Sequence, residues 1–337
     1  MSSTTDRNGG PQGTFGPVTR TFGPVTRTFG PQGTFGPVTR TFGPQGTFGP
    51  EQHRDGAEAF RRHFVVPSRK PDQELLETVL RAFSRLPYEN ISKIIKHHLA
   101  TDPISKLRLP GEVMDDHVRF GLGGTCFSLT FFLETILVHA GFRCYPVLAD
   151  MRVGPARHCA LVVYLGGARF LVDPGYVLDR PMEMGPDQPR LCHSGHSGVE
   201  LVRRTEAGVD TVDLYTFTRD EKKWRYRFVD RPVAPAEFLR HWLDSFSWNS
   251  MHGLCLTRVE KDRLVYIHNT HMRETTFGGS RNSNIRYRVH QTIRDVFGID
   301  PDRVESALAS LEANRMRERA SGLWVPKQRE PSSVPAG

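Results

Sequence analysis

The sequence predicts an α+β protein in which helices come first and short strands follow. Apolar residues recur at helical spacing through residues 72–87 and again through residues 128–141, and the second segment is apolar enough for a buried helix. After residue 141 the chain changes to short runs rich in Val, Leu, Tyr and Phe, separated by turn residues. With 337 residues, the chain is long enough for roughly two to three packed units.

The first 56 residues form a separate, repetitive segment. From Thr14 onward the tetrad Thr-Phe-Gly-Pro recurs, and every copy carries a proline that removes a backbone hydrogen-bond donor. The copies contain too few apolar residues to offset the entropy of ordering, which predicts a disordered tail over residues 1–56. The phenylalanines of the repeats are either anchors for a partner or part of a neutral repeat expansion, and we favour the second interpretation.

Three helices are predicted between residues 72 and 141. The first ends where Pro87 interrupts the pattern, the second covers Ile91–Leu99, and the third ends at Gly141, a residue suited to a C-terminal cap. The apolar positions of the first helix are Leu75, Leu76, Val79, Leu80, Phe83 and Leu86, and those of the third are Leu129, Phe132, Leu133, Ile136, Leu137 and Ala140.

The rest of the chain predicts mainly strands. Residues 158–165 and 168–173 flank the dipeptide Gly166-Gly167, which is typical of a two-residue hairpin turn. Further strands are predicted at residues 211–218, 224–229, 255–259, 262–269 and 285–289, and helices at residues 238–247 and 290–312. The end of the chain after Leu323 is rich in Pro and Ser and is predicted to be loose.

Composition excludes several classes of function. No stretch approaches the roughly 18 apolar residues of a membrane span, and the N-terminus lacks the features of a signal peptide, so we expect a cytoplasmic protein with no membrane partner. The net charge of +8 is not accompanied by a nucleic-acid-binding motif, so we expect no nucleic-acid partner. The positive surplus instead suits an anionic ligand.

The five cysteines are scattered along the chain and predict reduced thiols rather than a disulfide framework. Cys192, His193 and His196 have ligand-like spacing, but no second pair of ligands accompanies them. We therefore expect a surface loop there and no metal site.

The strongest chemical signal is the segment Gly-Leu-Gly-Gly-Thr-Cys at residues 121–126. Glycines let the backbone approach a reacting group closely, and Cys126 is placed at the first turn of the predicted buried helix. Backbone N–H groups and the helix dipole at that end favour a thiolate, which lowers the pKa of a cysteine from its usual value near 8.5. Without a base, a buried cysteine is more often a core residue.

The Gly166-Gly167 hairpin brings a base and a carboxylate together. If these two glycines form the turn, counting back along the strands pairs Ala160 with Asp173. Because side chains alternate, His158 lies on the same face as Ala160 and diagonal to Asp173, at roughly 7 to 8 Å between backbone positions. The side chains of His158 and Asp173 are therefore predicted to touch.

Cys126, His158 and Asp173 are accordingly predicted to form a catalytic triad. A carboxylate beside an imidazole orients the ring and stabilises the imidazolium that a Cys–His pair needs. The alternative is a polar pair at the end of a strand. Cys159 follows His158 but is expected to face the other side of the strand, as a core residue.

The order of short motifs resembles that of the arylamine N-acetyltransferases. The boxes are Pro87-Tyr88-Glu89-Asn90 after the first helix, Gly123 to Cys126 at the start of the buried helix, His139 to Phe142 at its end, a strand that begins at His158, and Leu171 to Tyr176. The resemblance extends from about Leu75 to Phe297. It leaves the repeats and the last residues of the chain uncovered.

The resemblance implies an enzyme that transfers acetyl from acetyl-CoA, as co-substrate, to an aromatic amine, a hydrazine or an arylhydroxylamine by a ping-pong route. By motif match, Cys126 is the nucleophile, His158 the base and then the acid, and Asp173 the orienting carboxylate. Tyr88 stands where the family has a pocket aromatic and is expected to contact substrate. No permanently bound cofactor is implied.

The resemblance also implies a fold of three parts: an N-terminal helical bundle, a central β-barrel-like domain and a C-terminal α/β lid. We divide the chain into the tail at 1–56, a helical domain at 57–120, a domain at 121–220 that opens with the nucleophile helix and continues as a barrel, the lid at 221–312, and a C-terminal segment at 313–337 with a helix end and a loose tail.

Two positions depart from the family's nucleophile box. The family has Arg before the two glycines and Glu two residues after the cysteine, where this chain has Leu122 and Ser128. Two alternatives stay open. A transglutaminase-like thiol hydrolase or amide-forming enzyme shares the order of a Cys helix, a His strand and an Asp strand, and the two departures support a catalytically silent scaffold whose repeat arm recruits partners. The sequence leaves the coenzyme A contacts and the oligomeric state undetermined.

Overall fold

A computed structural model describes residues 49–185, 190–193, 196–260 and 262–323, with only the backbone at 190–193. The predicted tail up to residue 48 lies outside this part of the chain. The helices that precede the long strands are α1 Arg54–His63, α2 Gln73–Phe83, α3 Ile91–Leu99, α4 Pro110–Phe120 and α5 Cys126–His139. The three helices predicted between residues 72 and 141 are thus confirmed as α2, α3 and α5. Gly141 follows α5 with a φ of 87°, the conformation expected after a helix end.

Helical structure begins inside the segment that was predicted to be disordered. A 3-10 turn at Pro50–His53 leads into α1, so the predicted tail boundary at residue 56 is wrong. The physical cause is Phe60, which is fully buried and packs against the rings of Phe83 and Phe132 at centroid distances of 5.7 and 5.8 Å. These partners lie on α2 and α5, so the local composition around Phe60 does not reveal them.

An eight-stranded antiparallel sheet forms a nearly closed barrel, as the predicted fold class expects. Its strands lie in the order β5-β4-β3-β2-β9-β8-β7-β6, and the edge strands β5 and β6 approach each other. The strands are β2 Arg143–Met151, β3 Gly154–Leu165, β4 Ala168–Val172, β5 Met182–Glu183, β6 Arg190–His193, β7 Gly198–Glu206, β8 Val209–Phe217 and β9 Lys222–Val229. Because β9 pairs with both β2 and β8, the predicted domain boundary at residue 220 is wrong.

The hairpin between β3 and β4 has the predicted register. Gly166 and Gly167 have φ values of 58° and 83°, and a turn of this kind requires positive φ at both central residues. Leu165 pairs with Ala168, and the ladder continues to Leu161 opposite Val172. Asp173 therefore follows directly after β4.

A second antiparallel sheet has the order β1-β10-β11-β12-β13. Its strands are β1 Tyr88–Glu89, β10 Cys255–Glu260, β11 Arg263–His268, β12 His271–Thr276 and β13 Gly279–Asn284. Residues 285–289 were predicted as a strand, but they form a 3-10 turn at Arg286–Arg288 that enters the next helix. The ladder with β12 ends where His271 lies opposite Asn284, and one further backbone hydrogen bond, from the Ile285 N–H to the Thr270 carbonyl at 2.8 Å, precedes the 3-10 turn.

The remaining helices are α6 Pro235–Asp244, α7 Val289–Phe297 and α8 Pro301–Ala320. They pack with the second sheet, and α6 confirms the helix predicted at residues 238–247. The single helix predicted at residues 290–312 is instead divided into α7 and α8, because Gly298 follows α7 with a φ of 71° and ends that helix. None of the helices in the described ranges combines the length and the apolar character that crossing a bilayer requires.

Helix α5 lies at the centre of the described protein, since its residues 126–137 are all buried. One face, with Leu129 and Phe132, belongs to the apolar core formed with α1 and α2. The opposite face, with Phe127 and Phe131, belongs to a second core shared with α6 and the second sheet. The first residue of α5, Cys126, therefore lies where the helices and both sheets meet.

Candidate active site

Cys126 opens onto a cavity of about 990 Å³ between the two sheets. Cys126 is 5% exposed, and it is the first residue of α5, directly after the Gly123-Gly124-Thr125 turn. Ser128 Oγ accepts a hydrogen bond from the Thr125 N–H at 3.1 Å, which helps to define the start of the helix. Ser128, one of the two departures from the family pattern, thus acts as part of a helix cap.

The turn before Cys126 is held by a buried carboxylate. Glu89 is fully buried and accepts hydrogen bonds from the N–H of Gly123 at 3.1 Å, the N–H of Ser92 at 2.9 Å and the hydroxyl of Ser92 at 2.6 Å. The neighbouring backbone is paired as well, because the Glu89 N–H donates to the Gly124 carbonyl at 2.9 Å. The Pro-Tyr-Glu-Asn box is therefore a direct structural support of the nucleophile turn.

Arg108 compensates that carboxylate and was not identified from the sequence. Its guanidinium lies 3.7 Å from Glu89 and donates to the Gly123 carbonyl, to Ser92 Oγ at 2.7 Å and to Asp116 Oδ2 at 2.6 Å. The position before Gly123 holds Leu122, which is 2% exposed and packs in the apolar core. A guanidinium from the segment before α4 thus reaches the nucleophile turn of this chain.

His158 and Asp173 are in contact, as the hairpin register predicts. His158 Nε2 lies 2.8 Å from Asp173 Oδ2, and both side chains are buried. Asp173 Oδ1 accepts the backbone N–H groups of Gly175 at 2.9 Å and Tyr176 at 3.1 Å, and Oδ2 accepts the Tyr226 hydroxyl at 2.6 Å. Tyr226, on β9, is a second residue that the sequence did not identify.

The charges of the site favour an ion pair between Cys126 and His158. Burial opposes the imidazolium, but the Asp173 carboxylate and Cys126 together outweigh burial and raise the pKa of His158 to about 10. The neighbouring Cys159 thiol and His158 imidazole outweigh burial of Cys126 and hold its pKa well below the usual range. A thiolate and an imidazolium are the protonation states that nucleophilic attack by a cysteine requires.

Cys159 is buried in the core, as expected. Its thiol donates a hydrogen bond to Thr130 Oγ1 at 3.5 Å, and it lowers the pKa of the neighbouring Cys126. Cys126 and Thr130 are one turn apart on α5 and share one helix face, so Cys159 packs against that face. Cys159 therefore lies on the face of β3 opposite to His158, as expected, and that face packs against α5.

Tyr88 lines the same cavity as Cys126 and His158, which places the predicted substrate contact near the thiol. It is half-buried on β1, and burial raises the pKa of its hydroxyl well above the usual value.

Lys93 is a buried cation near Cys126 that the sequence analysis did not identify. Burial lowers the pKa of its ammonium group to about 8, and its charge lowers the pKa of Cys126. Its Nζ donates to the Ser245 carbonyl at 3.0 Å and to Ser245 Oγ at 2.6 Å.

The loop predicted to carry no metal lies partly outside the described residues, because the side chains of Cys192 and His193 are among those not described. In the part of the chain that is described, no three His, Cys, Asp or Glu side chains are grouped to hold a metal ion.

The fold and the sequence place the chain in one class of enzymes. A profile of the N-acetyltransferase family matches residues 73–305, which is more than half of the chain. The chain therefore belongs to that family, whose members are acyltransferases. A comparison of the sequence with curated proteins gives no match.

Solved structures of arylamine N-acetyltransferases have the same fold. The arylamine N-acetyltransferase from Mycobacterium abscessus is 19% identical with a TM-score of 0.65, covering 77% of this chain and 96% of its own. That from Nocardia farcinica is 22% identical with a TM-score of 0.64, covering 78% and 99%. That from Salmonella typhimurium is 17% identical with a TM-score of 0.61, covering 76% and 98%. The protein belongs to the arylamine N-acetyltransferase family.

Proposed function

We propose that this protein transfers the acetyl group of acetyl-CoA to an aromatic amine, hydrazine or arylhydroxylamine through a thioester on Cys126. The observation that carries the proposal is the His158–Asp173 contact of 2.8 Å in the cavity wall that also holds Cys126. A buried carboxylate, an imidazole and a cysteine at a helix start supply the three roles of thiol-based acyl transfer.

In the first half-reaction, the Cys126 thiolate attacks the carbonyl carbon of the donor thioester. The bond between that carbon and the coenzyme A sulfur breaks, and the His158 imidazolium gives its proton to the leaving thiolate. The products are free coenzyme A, neutral His158 and acetyl-Cys126. Asp173 holds the ring in place throughout through its contact with His158 Nε2.

In the second half-reaction, the amine nitrogen attacks the carbonyl carbon of acetyl-Cys126. His158 accepts a proton from the amine, the bond between the carbonyl carbon and the Cys126 sulfur breaks, and the thiolate–imidazolium pair is restored. Tyr88 lines the cavity beside the thiol and is proposed to contact the aromatic ring of the acceptor.

Intact mass after incubation with acetyl-CoA alone tests the thioester. We expect the mass to increase by one acetyl group, and we expect Cys126→Ala to abolish the increase. Cys255→Ala is the matched control: Cys255 lines the same cavity, but burial raises the pKa of its thiol to about 11, so it stays protonated and unmodified. An adduct that persists in Cys126→Ala would contradict the assignment.

The Asp173→Asn variant tests the role of the carboxylate. It removes the charge that keeps His158 protonated and is expected to lower turnover by about 10²- to 10⁴-fold in a folded protein.

Analysis of the reaction products distinguishes acetyl transfer from the two alternative functions. An acetylated arylamine supports the proposal, release of acetate to water without amide formation indicates a thiol hydrolase, and a Cys126 that is never acetylated indicates a silent scaffold.

A further inference from the structure

The cavity that contains Cys126 extends to the tips of two β-hairpins, one from each sheet. The turn between β8 and β9 meets the turn between β12 and β13, where the Arg219 N–H donates to the Phe277 carbonyl at 3.0 Å. The rings of Phe217 and Phe277 also meet there, at a centroid distance of 6.4 Å. The strands behind these turns supply Lys223, Arg225 and Arg273 to the cavity wall.

Two of these cations have no carboxylate partner in the described part of the chain. Arg225 Nε donates to Thr216 Oγ1 at 2.6 Å, and Arg273 Nη2 donates to Ser280 Oγ at 3.0 Å, but neither guanidinium lies within 4.0 Å of a described carboxylate. Arg273 Nε is buried and has no hydrogen-bond partner there. A buried donor without a partner, such as Arg273 Nε, is energetically costly, and two guanidinium groups without a carboxylate favour an anionic ligand.

The carboxylates that line the cavity are already paired with other cations. Glu221 Oε2 lies 2.7 Å from Lys223 Nζ, and Asp244 Oδ2 lies 3.5 Å from Nη1 of Arg240. The hydrogen bond with Lys223 lowers the pKa of Glu221, and the charges of Arg273 and Arg225 lower it further. The charges of both guanidinium groups thus act on a carboxylate that already pairs with Lys223, and they leave an excess of positive charge at this end of the cavity.

We propose that Arg225 and Arg273 form an anion subsite that binds phosphate groups of the coenzyme A donor while its thioester reaches Cys126. The inference rests on the proposed function for the identity of the donor. Guanidinium groups match phosphate oxygens with paired N–H donors, and the described carboxylates of the wall, Glu221 and Asp244, are each paired with a cation. The subsite assigns a binding role to two residues outside the Cys126, His158 and Asp173 group.

The test compares Arg225→Met and Arg273→Met with the unaltered protein in the first half-reaction alone. The rate constant for acetylation of Cys126 is measured with acetyl-CoA and with S-acetyl-N-acetylcysteamine, a thioester without phosphate. The rate constant with acetyl-CoA divided by that with S-acetyl-N-acetylcysteamine should fall by about 10- to 100-fold in each variant. The reason is that each variant loses a charge-assisted hydrogen bond to phosphate. In the matched control Arg219→Met the ratio should be unchanged, since Arg219 is exposed and paired with Asp220 at 3.1 Å.

An unchanged ratio in both variants would overturn the subsite, and so would an equal loss with the two donors. A loss confined to the second half-reaction with an acidic acceptor such as 4-aminobenzoate would assign the guanidiniums to an acceptor carboxylate instead of a phosphate, which also overturns the proposal. If Cys126 is not acetylated by any donor, the proposed function fails. Calorimetric titration of Cys126→Ala with coenzyme A, with and without Arg273→Met, then still tests the subsite: the proposal requires weaker binding in the double variant.

Discussion

Replacement of Arg108 by Met should destabilise the protein strongly, because it leaves a buried carboxylate without its cation. The Arg108 side chain is 3% exposed, and Glu89 is fully buried. Removal of one partner from a buried ion pair costs roughly 3–5 kcal/mol, and we expect a loss of this size in the free energy of unfolding. The Gly123 carbonyl loses a donor in the same variant, so the turn before Cys126 is also affected.

Urea denaturation measures the loss, with Arg81→Met as the control. Arg81 pairs with Glu77 at 3.3 Å on the surface of α2, and exposed pairs of this kind contribute about 0.3–0.5 kcal/mol. The double variant Glu89→Gln, Arg108→Met should lose less stability than the sum of the two single variants. The reason is that Glu89→Gln removes the charge that Arg108→Met leaves unpaired. A loss below about 1 kcal/mol in Arg108→Met, or strict additivity, would refute the reasoning.

Three further changes test the site and the first helix. Gly175→Ala places a methyl group 2.5 Å from His158 Cε1, so turnover should fall by at least about 10²-fold while circular dichroism stays unchanged; near-native turnover would contradict this packing. Cys159→Ala removes a thiol that lowers the pKa of Cys126, so the midpoint pH of Cys126 alkylation by iodoacetamide should rise, and an unchanged midpoint would exclude that effect. Phe60→Ala should cost roughly 3–5 kcal/mol of unfolding free energy in urea, whereas a loss under about 1 kcal/mol would show that α1 contributes little to the core.

The sequence alone determined the features that depend on neighbouring residues. The spacing of apolar side chains predicted α2, α3 and α5, since helical periodicity and capping residues act over a few positions. The contact between His158 and Asp173 followed from a two-glycine turn and the alternation of side chains along two adjacent strands. The order of short motifs was enough to indicate the family, which the profile match over residues 73–305 shows.

The tertiary structure decided which distant groups complete the site. Tyr226 reaches Asp173 across 53 positions of the chain, Arg108 reaches the Gly123 carbonyl from the segment before α4, and Cys159 contacts Cys126 because α5 packs on β3. None of these residues stands out by periodicity or by a local motif. A pattern in the sequence shows which face of an element is buried, but the partner of a buried polar group depends on how separate elements pack, and that packing is a property of the whole fold.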